Sequence, residues 1–217
     1  MMSPTPSTEK ATAAKRPRYL VVALVGALVF GAGCWTEGCK QLAFYRGERD
    51  RHVALNAAVH DDAERQHVER LYQHFVDVAD LGRNKGVPLA AGTFVLGAAL
   101  LALAARGLGR KANTRSALMQ VVGAQAIVVA LTYFVMKDTR NAELDWEFER
   151  RLVHERETTP PEQYQAMVPG VRMVRHWAPG TWLGFRSLAS ILILLALSRP
   201  RARAFFEAAT KAPPVSE

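Results

Sequence analysis

Four stretches of this chain, 19–35, 87–105, 116–136 and 179–198, contain no acidic residue and are almost wholly apolar. A helix needs ~20 mostly apolar residues to cross ~30 Å of hydrocarbon, and each stretch approaches that length. Apolar helices also occur as buried core elements, but four of them within 217 residues exceed what a soluble core of that size needs. The pattern predicts an all-α integral membrane protein, a four-transmembrane-helix bundle. The near-zero mean hydropathy conceals this, because it averages very apolar blocks with very charged ones.

On a soluble chain a net charge of +8 would suggest a nucleic-acid partner. Its distribution points elsewhere, and no nucleic acid is expected. Basic residues dominate the leader 1–18, the link 106–115 and the tail 199–217, and the link contains no acid at all. Segments 36–86 and 137–178 balance acids and bases closely. Dense basic charge in alternate connections is the positive-inside pattern. It predicts cytoplasmic N- and C-termini and helical extracytoplasmic extensions at 36–86 and 137–178, with anionic lipid of the bilayer as counter-charge. Arg83, Lys85, Lys137 and Arg175 sit near outer helix ends as exceptions. Arginine outnumbers lysine and alanine is abundant, which suggests a GC-rich bacterial genome. The expected membrane is then the bacterial inner (plasma) membrane, and the extensions are periplasmic.

The leader reads as a disordered basic segment. In the first apolar block, Gly31-Ala32-Gly33-Cys34 partly resembles a bacterial lipoprotein cleavage box, with Gly31 where that pattern wants Leu. An uncleaved helix is the expectation and lipidation of Cys34 the alternative. Within 36–86, Asp61 and Glu64 suit a capping box. Val68, Leu71, Phe75 and Val78 then form an amphipathic stripe. The expected partner of this helix is an outward continuation of the first span over 38–59, forming a helical hairpin. The third span is expected to continue outward to 157, with Leu144, Phe148 and Leu152 as a ladder and Glu147 paired with Arg151. Thr159 and Glu162 suggest another capping box, opening a short helix that Pro169-Gly170 ends. The two apolar stripes are the candidate interaction surface. Ala23, Ala27, Gly31, Ala126, Ala130, Gly180 and Gly184 are small enough for close helix approach, within or between subunits.

Few residues suggest chemistry. Arg186 is the one charge inside a predicted span, and its long stem is expected to reach the headgroups, with an ion pair to Glu37 or Asp138 as the alternative. Gln125 falls mid-span with Thr132 on the same face and is expected to clasp a neighbouring helix. Cys34 and Cys39 form a possible redox pair facing an oxidising compartment. Five residues apart on a continuous helix they are too distant to bridge, unless Gly38 breaks it. Four-helix membrane oxidoreductases that make disulfides share this size, but they need two cysteine pairs and this chain has one. His60, His67 and His74 recur every seven residues beside the stripe, a possible pH-sensing edge. Glu64 and His67 match half of a di-iron ligand motif whose second copy is missing.

No histidine or carboxylate lies in a span, which argues against an intramembrane haem or a proton carrier built on a membrane carboxylate. Neither a metal nor a cofactor is expected, and no convergent catalytic set is visible. The sequence therefore favours a non-enzymatic assembly or interaction subunit, docking a protein partner or a homo-oligomeric copy through its periplasmic helices. The alternatives are an oligomeric channel or carrier lined by Arg186 and Gln125, and a thiol redox protein using Cys34 and Cys39.

Overall fold

A computed structural model describes residues 17–47, 62–109 and 114–211. Among them the chain forms seven helices: α1 (Arg18–Tyr45), α2 (Asp62–Leu81), α3 (Arg83–Leu108), α4 (Thr114–Val135), α5 (Lys137–Thr158), α6 (Pro161–Ser198) and α7 (Pro200–Lys211). Four of them, α1, α3, α4 and α6, are long and apolar enough to cross a membrane. Three of them each contain the whole of one apolar stretch read from the sequence, and α4 covers the stretch 116–136 up to Val135.

These four close into a ring in which α1 packs on α3, α3 on α4, α4 on α6 and α6 back on α1. The α1–α3 contact is the tightest, because glycines bring the two backbones together. A Cβ on Gly38 would lie 2.6 Å from the Phe94 nitrogen, and one on Gly97 would lie 2.5 Å from the Trp35 nitrogen. Gly31 meets Leu101 in the same seam. Such close approach maximises van der Waals contact between the two helices.

Each end of the ring has its own core. At one end Leu20 and Leu24 of α1, Leu100 of α3, Leu118 of α4 and Leu197 of α6 are enclosed together with Phe205 and Phe206 of α7. The tail beyond Ser198 is thus more than a basic appendage: Ala202, Phe205 and Phe206 stand on one face of α7 and cap the bundle. Arg115 closes the same end by donating Nε to the Leu197 carbonyl at 2.7 Å, where a helix C-terminus favours a cation. At the other end α2 and α5 pack together, and Tyr45, Tyr72, Phe75, Ala79 and Met136 form a second core with Trp146 against it.

Several local expectations are corrected. The run from the third span into 137–157 is interrupted at Met136, which leaves helical geometry with φ −98° and ψ 28°. Arg140 covers the break by donating Nη1 to the Tyr133 carbonyl at 2.5 Å, so a polar carbonyl freed by the kink keeps a partner. The proposed helix stop at Pro169-Gly170 does not occur, and α6 runs for 38 residues through Pro169 and Pro179. A proline removes one hydrogen bond but does not terminate a helix held on both sides. Here Arg175 pairs with Asp145 of α5 midway, and Ser190, Ile193 and Leu197 are buried further along. Thr159 closes α5 instead of opening α6, because Pro160 before Pro161 holds an extended backbone and delays the helix by one residue. Glu147 does not pair with Arg151, which turns to Glu155 at 3.7 Å. Glu64 pairs with Arg156 across the α2–α5 contact. Asp61, His60 and the 48–59 half of the expected hairpin lie outside the described residues.

Candidate functional site

Past Trp35, α1 changes character, and Glu37, Lys40 and Gln41 follow within six residues. The helix stays unbroken because Gly38 packs on Phe94, so these polar side chains run alongside the apolar first half of α3. They are accommodated by a cavity of about 660 Å³ bounded by α1 through α6, whose lining includes Glu37, Lys40, Arg140, Glu143, Glu147 and Arg186. Toward α7 the ring is filled by the Leu100, Leu118 and Leu197 core.

Arg186 reaches this cavity. Its Nη2 donates to Glu37 Oε2 at 2.5 Å, and its guanidinium lies 5.0 Å from the Trp182 ring centre. This is the ion pair with Glu37 that stood as the alternative to a stem reaching the headgroups: a carboxylate on α1 at the same level supplies a charged hydrogen bond. Gln41 adds a long contact to the same carboxylate, 3.5 Å from Nε2 to Oε1.

Two further cations of the cavity, Arg140 and Arg150, are held on aromatic faces. Arg140 stacks 3.9 Å from the centre of the Tyr133 ring and Arg150 lies 5.1 Å from that of Trp146. Trp146 in turn lies parallel to Phe75 at 6.0 Å, and Phe75 stacks on Phe44 at 5.1 Å. This aromatic wall joins α1, α2 and α5.

Glu143 opens onto the cavity, yet surrounding protein withholds bulk water from it. Burial first, then Glu147 one turn away and Glu37 across the cavity, raise its carboxyl to about 7. Its surface is accessible from the cavity side, so solvent screens part of this effect.

Gln125 sits one turn below Val129, which lines the cavity. It is 2% exposed, and neither amide atom makes a hydrogen bond of normal geometry. The Cys34 thiol lies beside that amide, a weak partner. Cys34 is 1% exposed and Cys39 half-buried, and both are free thiols on one continuous helix. The structure does not bring them together as a pair, since α1 continues through Gly38 and no local loop forms there.

The candidate interaction stripe is not open. Val68, Phe75 and Leu152 are buried and Leu71, Val78, Leu144 and Phe148 half-buried, because α2 and α5 bury them against each other and the second core. This corrects their reading as a docking surface. His67 and His74 stand exposed on α2, off its buried face. Among the described residues no three metal-ligating side chains gather.

Sequence reasoning missed Glu143 and Arg140. Their signal was slight: Arg140, Glu143 and Glu147 recur at three and four residues on one helix face. No protein-family model matches this sequence, and neither a curated protein nor a solved structure matches it.

Proposed function

We propose that this chain is a non-enzymatic polytopic membrane protein, an assembly subunit that pairs with a second copy of itself through α6. Four span-length apolar helices support the membrane placement. The alternation of basic and balanced connections supports a bacterial inner-membrane orientation, with both termini cytoplasmic and α2, α5 and the first half of α6 periplasmic.

The open face of α6 carries the docking reading. Gly180 and Gly184 are both exposed, and a Cβ on Gly184 would meet nothing within 4 Å. Trp177 (65% exposed) and Leu188 continue the same face at spacings of three and four. Two glycines four residues apart let a second helix approach closely. Met173 and Val174 extend this apolar face past the predicted boundary at 179. A symmetric contact along α6 would cover the whole face.

The test is a Trp177→Cys variant in a Cys34→Ala, Cys39→Ala background. The reading requires a crosslinked dimer in native membranes and a dimer in mild detergent. It also requires Gly184→Ile to yield a folded monomer. A wild-type monomer with no crosslink and no copurifying protein overturns it.

A further inference from the structure

The cavity beside Glu37 presents unpaired charge of both signs next to aromatic and apolar walls, a combination independent of the α6 face. Arg186 is taken by Glu37, and Arg140 and Arg150 lie on the Tyr133 and Trp146 rings. Glu143 and Glu147, one turn apart on α5, have no ion-pair partner among the described residues, and neither has Lys40 on α1. Leu89, Val129 and Leu183 line the same cavity from α3, α4 and α6, three of the four helices long and apolar enough to cross a membrane.

We propose that this cavity binds a zwitterionic amphiphile with an ammonium–phosphate head, the ammonium at Glu143 and Glu147, the phosphate at Lys40, and the tail along Leu89, Val129 and Leu183. Two carboxylates one turn apart on the cavity wall suit an ammonium, which can donate to both. A purely cationic ligand would meet Lys40, Arg140 and Arg150, and a purely anionic one would meet Glu143 and Glu147. A head carrying both signs satisfies both sets. Position decides the tail, since the cavity opens where polar α1 residues run beside apolar α3. The ammonium needs ionised carboxylates, so binding weakens as pH falls through the range in which Glu143 takes up a proton. The charged and titratable groups sharing the cavity with Glu143 are Glu37, Lys40 and Tyr45 from α1, Tyr72 from α2, Tyr133 from α4, Arg140, Glu147 and Arg150 from α5, and Arg186 from α6, with Asp80 of α2 acting on Tyr45.

The experiment titrates monoacyl phosphoethanolamine into the full-length protein in a nonionic maltoside detergent, following tryptophan fluorescence. Monoacyl phosphoglycerol and dodecylamine serve as single-charge comparisons. Saturable binding of the zwitterion, at least tenfold tighter than either comparison at pH 8 and weaker at pH 6, supports the site. The double variant Glu143→Gln, Glu147→Gln should lose at least tenfold, and Lys40→Gln should weaken the phosphoethanolamine while sparing dodecylamine. Glu149→Gln, outside the cavity lining, removes the same charge and should leave affinity unchanged. Equal binding of phosphoglycerol and phosphoethanolamine overturns the proposal, as does a folded double variant with wild-type affinity. An equal loss in Glu149→Gln does so too. Nanodiscs of mixed phosphatidylethanolamine and phosphatidylglycerol separate the sources. Retention of the diacyl amine lipid in native mass spectra assigns the ligand to the bilayer, and binding of the monoacyl form alone assigns it to a free amphiphile.

Discussion

Arg186 of α6 and Glu37 of α1 are joined by a 2.5 Å hydrogen-bonded ion pair, with the arginine side chain only 13% exposed. The pair ties α6 to its ring neighbour α1, two helices that are far apart in sequence. Glu37→Gln leaves an enclosed cation without its counter-charge and should cost about 2 kcal/mol. Adding Arg186→Met should recover part of that loss, with a coupling of about 1 kcal/mol in a double-mutant cycle read by unfolding in detergent. Additive losses would show that the two side chains act independently.

The α1–α3 seam predicts a position-specific response to the smallest possible change. Gly97→Ala puts a methyl against the Trp35 backbone, which cannot yield as a side chain would. The expected loss is about 2 kcal/mol from overpacking. Gly33→Ala on the same α1 helix meets nothing within 4 Å. It should be neutral or stabilising, since alanine is the better helix former. Thermal midpoints of the two variants check the contrast, and equal effects would mean that the seam is not where the backbones touch.

Helix α7 should behave as part of the fold. Phe205 is 2% exposed in a core shared with Leu20 and Leu197. Phe205→Ala should lose about 3 kcal/mol and open the tail to limited proteolysis after Ser198. A variant that keeps wild-type stability and resistance would reduce α7 to a loosely attached tail.

Stability should fall as pH rises through neutrality, and Glu143 sets the sign. Its carboxyl titrates at about 7 when folded against 4.5 ordinarily, so the folded state holds the extra proton between those values. Stability is therefore fully present below 4.5 and lost progressively up to about 7. Glu143→Gln should flatten that slope and raise the midpoint at pH 8 by about 2 °C, a modest figure because the cavity admits solvent. An unchanged pH profile would remove Glu143 from this role.

The four apolar helices were legible because their signal is local. Twenty apolar residues in a row commit a segment to helix whatever its neighbours do. The stripe through Val68, Leu71 and Phe75 was legible for the same reason, as a periodicity within one helix. The break at Met136 between α4 and α5 was not legible, since a single residue leaving helical geometry has no sequence signature. The length of α6 was misread because Pro169 and Gly170 are local breakers, whereas the contacts that carry the helix past them are tertiary.

Glu37, Glu143 and Arg186 divide the two kinds of knowledge. Alone, the sequence determined that Arg186 lies in an apolar stretch where an isolated charge is costly, and that Glu37 and Glu143 lie just beyond two others. The tertiary structure decided that they meet across one cavity, with Arg186 neutralised and Glu143 left among like charges. Electrostatic energy depends on distance through the fold and not along the chain, so residues more than a hundred positions apart acquire their chemistry only when the ring closes.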